Sequence, residues 1–150
     1  MERTGCQNVL LGYAWRSRVD NLPVLRAVFD AAPDCITIIS ASGVLLEINA
    51  AGRSMFEASD ISLKEASVYD VIVPEFRGSW KAMHERVCNG EKLTWEFDIV
   101  GFRGTRRHME THAVPLPMPD GSVAHLAISR DVTWREASER RIVDSEPRYQ

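Results

Sequence analysis

With 150 residues and a formal net charge of −3, the chain is long enough for one domain with its own core and lacks the basic excess typical of nucleic-acid-binding proteins. Hydrophobic residues make up 45% of the total, but no apolar run approaches the ~20 residues of a membrane helix, so membrane insertion is not expected. The three cysteines are widely spaced and form neither a disulfide framework nor a metal motif, which predicts reduced thiols and a cytoplasmic protein.

Helical and strand patterns alternate in the first third of the chain. After a loose or helical lead-in of residues 1–21, apolar positions recur at helical spacing from Leu22 until Pro33 ends the helix. The β-branched run 35–40 and the alternating run 44–48 are joined by a glycine-containing turn, and together they predict a hairpin.

A helical segment follows this hairpin. Asn49 suits the N-cap of a short helix, and a longer helix is expected beyond Pro74. The apolar residues of the longer helix recur at i, i+4, i+7 and i+11, which indicates one packed face made of Phe76, Trp80, Met83 and Val87. Asn89-Gly90 supplies its C-terminal stop.

Three further strands are predicted in the second half. Residues 93–99 alternate between apolar and polar side chains, and a second strand is expected over 106–116. Asp120-Gly121 is a hairpin signal before a last strand over 122–133. This order predicts an α+β fold in which a five-stranded antiparallel sheet carries its helices on one face.

One of these strands carries three potential metal ligands. His108, Glu110 and His112 alternate along it, so their side chains point the same way. Two imidazoles and a carboxylate can bind zinc or a similar ion, although a half-solvated strand shows the same alternation. Catalysis has no comparable support, because the chain contains no phosphate-binding glycine loop, no nucleophile elbow and no acid–base constellation. We therefore expect a segment that is not an enzyme.

Short motifs, taken in this order, resemble those of the PAS family of sensor domains between residues 22 and 136. They are Pro33-Asp34, Ile48-Asn49-Ala50-Ala51, Val73-Pro74-Glu75, Asp120-Gly121 and Arg130-Asp131-Val132-Thr133. The chain departs from the family pattern at Glu57-Ala58, where a glycine and an aromatic residue are usual. The resemblance implies a PAS-like sensor domain at 22–134, between the lead-in 1–21 and a charged linker helix at 135–150.

The resemblance also implies a function. PAS domains are sensory and dimerisation modules, and by analogy this one would act through its C-terminal helix on an output domain, such as a histidine kinase or a cyclic-dinucleotide enzyme. The expected partners are a second copy of the chain, that output domain and a small-molecule ligand. A ligand-free module that acts by protein interaction alone is the alternative. The segment from Asp144 to Tyr149 resembles the opening of a further PAS repeat, which supports a longer chain.

Two sets of residues are candidates for sensing and for signal relay. Apolar side chains that can line a ligand cavity, or simply fill the core, are Trp80, Met83, Trp95 and Phe97. At the end of the sheet, Asp131 can pair with Arg135, and the Thr133 hydroxyl can cap the exit helix. Such contacts would couple the geometry of the sheet to the orientation of the helix. A purely structural cap is the alternative.

The identity of any cofactor is open. Some PAS oxygen sensors hold haem through a histidine on the long helix, which makes His84 the candidate ligand of a haem-dependent gas or redox sensor. A packing histidine is the alternative interpretation of His84. The light-sensing branch of the family carries a cysteine just before the long helix, and this chain has none there, so flavin photochemistry is not expected.

Overall fold

The computed structural model describes residues 22–58, 63 and 66–135. The predicted lead-in, 1–21, and nearly all of the linker helix predicted for 135–150 lie outside these residues. Among the residues that are described, no helix is long and apolar enough to cross a membrane.

The described residues of the first of two structural units form a helix. This helix, α1 (Leu22–Ala31), covers the segment in which the sequence predicted it. Arg26 pairs with Asp30 one turn further on, at 3.5 Å, and its guanidinium lies 5.3 Å from the centre of the Phe29 ring. These contacts stabilise the helix only weakly, since an exposed ion pair at this spacing contributes ~0.3–0.5 kcal/mol.

The second unit, from Ala32 onward, is built on a five-stranded antiparallel sheet in the order β2-β1-β5-β4-β3. Its strands are β1 (Cys35–Ile39), β2 (Leu45–Ile48), β3 (Leu93–Val100), β4 (Arg106–Pro117) and β5 (Val123–Asp131). The last strand lies in the centre and pairs with β1, from Cys35 opposite Ser129 to Ile39 opposite His125. All five strands lie where the sequence predicted them, so the predicted sheet is confirmed.

Three helices of the second unit lie between β2 and β3 in the described part of the chain. They are α2 (Ala50–Met55), a 3₁₀ helix (Val68–Asp70) and α3 (Pro74–Cys88). Asn49 is the predicted N-cap of α2, and its Oδ1 accepts hydrogen bonds from the backbone N–H groups of Gly52 and Ile36, at 3.0 and 2.9 Å. Its Nδ2 donates to the Asp34 carbonyl oxygen at 2.9 Å. This buried amide therefore fixes the start of α2 against the start of β1.

The core lies between these helices and one face of the sheet, which we call the inner face. Burial alternates along β1, where Cys35, Thr37 and Ile39 are buried, as the side-chain period of two requires. Trp80 of α3 is 2% exposed and is the largest of the fully buried side chains. Its indole packs edge-on against the rings of Tyr69, Trp95 and Phe97. These aromatic contacts anchor the long helix on the sheet.

A strained turn follows α2. Glu57 has a φ of 57°, in the left-handed region that favours glycine. The family pattern has a glycine at this position. Its carboxylate accepts hydrogen bonds from the backbone N–H and the hydroxyl of Thr105, at 2.9 and 3.0 Å. A Cβ added at Gly101 would lie 2.5 Å from Glu57 Oε1. The carboxylate therefore offsets the strain of its own backbone by fixing the β3–β4 turn.

Candidate functional site

A small cavity lies between α3 and the inner face of the sheet. Its volume, counted as the space open to the centre of a water molecule, is ≈ 20 Å³. That is room for one or a few waters. Trp80 of α3 and Phe97 of β3 form part of its apolar wall, with Ile39, Ile99 and Met109.

Small polar side chains form another part of the cavity wall, and we call them the polar strip: Cys35, Thr37, Thr111 and Ser129. The strand register places Ser129 of β5 opposite both Cys35 of β1 and Thr111 of β4. The Ser129 hydroxyl donates to Thr111 Oγ1 at 2.8 Å. Burial raises the pKa of Cys35 to about 12, so this thiol stays protonated and unreactive. Short side chains at one level of the sheet leave the space that forms the cavity.

Two of the four residues predicted to line a pocket do so. Trp80 and Phe97 are in the wall of the cavity, whereas Met83 and Trp95 are not. Met83 is half-buried, with its sulfur 3.7 Å from a guanidinium nitrogen of Arg86. Trp95 packs against the rings of Trp80 and Phe97, at 6.5 and 6.3 Å between ring centres. A helical stripe cannot separate core side chains from cavity side chains, because both follow the same spacing.

Two buried imidazoles form a hydrogen-bonded pair behind Trp80. Nδ1 of His84 lies 2.8 Å from Nδ1 of His125, and Nε2 of His84 lies 3.1 Å from the carbonyl oxygen of Ala41. Both imidazoles stack on the indole of Trp80, at 5.0 and 5.4 Å between ring centres. Burial lowers the pKa of His84 and lowers that of His125 to about 3. Both rings are therefore neutral at neutral pH.

This arrangement of His84 does not fit a haem ligand. Both of its ring nitrogens are engaged in hydrogen bonds, to His125 and to the Ala41 carbonyl. The cavity is also far smaller than the ~300–1,000 Å³ of typical small-molecule sites. A haem-dependent sensor using His84 stays a hypothesis, and it would require the two imidazoles to separate and the core to open.

The three potential metal ligands lie on the outer face of β4, on the side away from the core. His108 Nδ1 lies 2.5 Å from Asp98 Oδ1, and His112 Nδ1 lies 3.0 Å from the Thr94 hydroxyl. Glu110 is also engaged, in an ion pair with a guanidinium. Within the described part of the chain, no group of three or more His, Cys, Asp or Glu side chains has the arrangement of a metal site. A metal ion bound by Glu110 would compete with that ion pair.

Asp131 fixes the end of β5. Its Oδ2 accepts a hydrogen bond from Arg107 at 2.8 Å, and its Oδ1 accepts from the backbone N–H and the hydroxyl of Thr133. Burial by itself would raise the pKa of Asp131, but these hydrogen bonds and the charge of Arg107 hold it below its usual value. The expected pairing of Asp131 with Arg135 is wrong. Asp131 lies opposite Met109 in the register, so Arg107 is its diagonal neighbour on β4.

Thr133 and Arg135 attach the exit segment, which we define as residues 132–135, to the sheet. The Thr133 hydroxyl accepts a hydrogen bond from the backbone N–H of His108 at 2.9 Å. Arg135 Nη2 donates to Glu96 of β3 at 2.7 Å and to Glu110 of β4 at 2.9 Å. The hydrogen bond from Arg135 lowers the pKa of Glu110. The residues predicted to relay a signal thus all contact the sheet, with partners that the sequence did not identify.

Comparison with known proteins identifies relatives of this fold. A family model described as PAS fold matches residues 29–137. The PAS domain of an HTR-like protein from Haloarcula marismortui superposes with a TM-score of 0.64 at 21% identity, covering 79% of this chain and 98% of that one. A domain of a sensory box sensor histidine kinase/response regulator from Geobacter sulfurreducens superposes with a TM-score of 0.59 at 29% identity, covering 73% of this chain and 92% of that one. The PAS domain of nitrogen regulation protein NR(II) from Vibrio parahaemolyticus superposes with a TM-score of 0.58 at 17% identity, covering 73% of this chain and 97% of that one. The search of curated proteins gave no match.

Proposed function

This chain belongs to the PAS-fold family, and we propose that it is a sensory and dimerisation module that controls an output domain of the same protein through its exit segment. Its structural relatives include a domain of a sensor histidine kinase/response regulator. By analogy with that protein the output is a histidine kinase, and by analogy with the family a cyclic-dinucleotide enzyme is the alternative; the segment itself carries no catalytic role.

The observation that carries this proposal is that the cavity and the exit segment share two strands. Thr111 of β4 and Ser129 of β5 lie opposite each other in the cavity wall. Two residues further along the same strands, Met109 also lines the cavity and lies opposite Asp131. Asp131 in turn holds the exit segment through Thr133. A molecule that changed the spacing of β4 and β5 at the cavity would therefore act directly on the attachment of the exit segment.

The chemistry of the cavity wall indicates which signal it would accept. The polar strip can hydrogen-bond one polar group, while the aromatic and aliphatic side chains around it favour an apolar remainder. The present volume admits only a very small molecule, so a larger one would bind a minor, more open form of the domain. We infer that the ligand is a small neutral molecule with a single polar group.

Dimerisation is supported by an apolar patch on the outer face of the sheet. Ile36 lies opposite Ile128, and Ile38 lies opposite Leu126, on the central strands β1 and β5. Ile128 is 44% exposed, although it stands in the centre of the sheet. A second copy of the chain that covered this patch would remove it from water, which is the usual driving force for such contacts.

A ligand-free interaction module is the second candidate. The size of the cavity favours it, because ≈ 20 Å³ is filled by water alone. In that case the signal would be a change of protein partner at the outer face, and the polar strip would only hold internal water.

Native mass spectrometry of the 1–150 chain purified from cells tests both candidates. We expect the mass of a dimer carrying a small molecule that is absent from the Thr111→Leu variant, in which the new side chain fills the cavity. Thr94→Leu, on the exposed outer face of β3, is the matched control and should keep the molecule. A dimer without any bound molecule would favour the ligand-free module. A bare monomer would overturn the proposed function.

A further inference from the structure

The histidine pair, His84 with His125, joins three elements of the fold. His84 belongs to the C-terminal half of α3, and His125 belongs to the central strand β5. The second hydrogen-bond partner of His84, Ala41, lies in the β1–β2 turn. Exposure is 2% for His84 and 0% for His125, so water does not reach either ring. The pair therefore holds the end of the long helix and the turn against the middle of the sheet.

The hydrogen bonds determine where the protons lie. A carbonyl oxygen only accepts, so Nε2 of His84 carries a proton and donates it to Ala41. A neutral His84 then has a bare Nδ1, which accepts a hydrogen bond from Nδ1–H of His125. Nε2 of His125 is left bare, and it is buried without a hydrogen-bond partner in the described part of the chain. This pattern is complete only while both rings are neutral.

Burial outweighs the groups that would favour an added proton on this pair. On α3, the Cys88 sulfur lies 3.8 Å from His84 Nε2, and burial raises the pKa of this thiol, which stays neutral. Glu85, also on α3, is exposed, and its charge raises the pKa of His84 by less than burial lowers it. From the β1–β2 turn, backbone carbonyls face His84, and from β3 the Trp95 ring approaches His125 to 5.7 Å between ring centres. A proton on His125 Nε2 would thus place an unpaired charge in the core, which is strongly unfavourable.

We propose that the histidine pair is an acid-sensitive latch, in which protonation of His125 releases the C-terminal half of α3 and the β1–β2 turn from β5. In the released form water solvates the imidazolium, whereas the closed form excludes water from it. Trp80 stacks on both rings and also lines the cavity, so release opens one wall of the cavity. The latch depends on these contacts alone and holds whether or not a ligand or a dimer exists.

The direction and size of the effect follow from proton linkage. The released form binds more protons than the closed form, so a fall in pH favours release. The usual pKa of a free imidazole is about 6.5. Below this pH, uptake of one proton raises the equilibrium constant between the closed and released forms by up to ~tenfold per pH unit. Between about pH 7.5 and about pH 5 this amounts to roughly a 30-fold increase.

Amide hydrogen exchange of the 1–150 chain, measured by NMR at these two pH values, tests the latch. Protection factors of residues 84–88 should fall by about 30-fold on acidification, whereas those of β3 and β4 should change much less. His125→Gln keeps a neutral hydrogen-bonding group at the position and should clearly reduce the pH dependence, leaving only the part that comes from His84. His112→Gln, on the exposed outer face of β4, is the matched control and should behave like the wild type.

Ring ¹⁵N shifts of the wild type give a second readout that needs no variant. We expect the Nε2–H tautomer for His84 and the Nδ1–H tautomer for His125, with both rings of the closed form still neutral at about pH 5. Rings that titrate near pH 6.5 while α3 keeps its protection would overturn the proposal. So would a fall in protection of equal size in the His125→Gln variant.

Discussion

The hydroxyls of Thr111 and Ser129 meet across β4 and β5, at 2.8 Å between their oxygens, inside the core. Two residues along the same strands, Asp131 of β5 holds the exit segment through Thr133. The polar strip, where we propose that a small molecule binds, is therefore adjacent to the part of the sheet that holds the exit segment.

The buried hydroxyl pair should contribute measurably to stability. Thr111→Val keeps the shape of the side chain but removes the acceptor of the Ser129 hydroxyl, so the free energy of unfolding should fall by ~1–3 kcal/mol. Urea denaturation followed by circular dichroism measures it. Thr94→Val, which removes an exposed hydrogen bond to His112, should change it by less than ~0.5 kcal/mol. Equal losses in the two variants would show that the buried pair has no special contribution.

The strained turn can be tested with two substitutions at one position. Glu57→Ala and Glu57→Gly both lose the hydrogen bonds to Thr105, but only glycine relieves the left-handed φ. We expect the glycine variant to be more stable than the alanine variant by ~1 kcal/mol in thermal denaturation. An alanine variant as stable as the glycine variant would contradict backbone strain at this residue.

The close approach of Gly101 to Glu57 predicts a coupling between the two positions. Gly101→Ala should destabilise the wild type, because the new Cβ would lie 2.5 Å from Glu57 Oε1. In the Glu57→Gly background the same change should have a clearly smaller effect, with an interaction energy of ~0.5–3 kcal/mol. Strictly additive effects in a double-mutant cycle would mean that the two residues do not meet.

Asp131 should make the domain sensitive to strong acid. Because its pKa is lowered in the folded state, it adds stability above the usual carboxyl value of about 4, and this stability is lost as the pH falls through the lower folded-state value. Asp131→Asn should reduce the free energy of unfolding at neutral pH by ~1–3 kcal/mol. It should also flatten the decline below about pH 4. Asp70→Asn, at an exposed position, serves as the control. If the free energy of unfolding of the Asp131→Asn variant declined with acid as steeply as that of the wild type, Asp131 would not be the cause of the acid sensitivity.

Arg135 should order the exit segment while adding little to global stability. Its ion pairs with Glu96 and Glu110 are partly exposed, so Arg135→Met should lower the free energy of unfolding by no more than ~1 kcal/mol. The adjacent Trp134 is 71% exposed, and its indole N–H resonance should shift and sharpen as the segment loosens. Arg130→Met, which removes a looser pair with Asp34 at 3.6 Å, is the matched control. Identical Trp134 resonances in the two variants would contradict an anchoring role for Arg135.

The sheet could be predicted because its strand patterns are local. Residues 93–99 alternate with a period of two, and β3 was found there, at Leu93–Val100. Asn49 was predicted as a helix cap from its type and position alone, and the structure shows it capping α2. Signals of this kind depend on neighbours along the chain, which a sequence displays directly.

Contacts between distant elements could not be predicted in the same way. His84 and His125 are 41 residues apart, and nothing along the chain indicates that their rings meet. Arg135 is the nearest basic residue that follows Asp131, and the sequence therefore suggests it as the partner of Asp131. The partner in the structure is Arg107, which the strand register brings from the neighbouring strand. The polar strip does carry a signal in the sequence, since small hydroxyl residues at inner strand positions are unusual in an apolar core.

The most direct test of the coupling compares the two ends of the β4–β5 pair by NMR. Thr111→Leu fills the cavity from β4 and is predicted to shift the backbone resonances of the exit segment, residues 132–135. Ser122→Leu, at the exposed hairpin end of the same two strands, is predicted to leave those resonances in place. Exit-segment resonances that stay unchanged in a folded Thr111→Leu variant would contradict the coupling between cavity and exit.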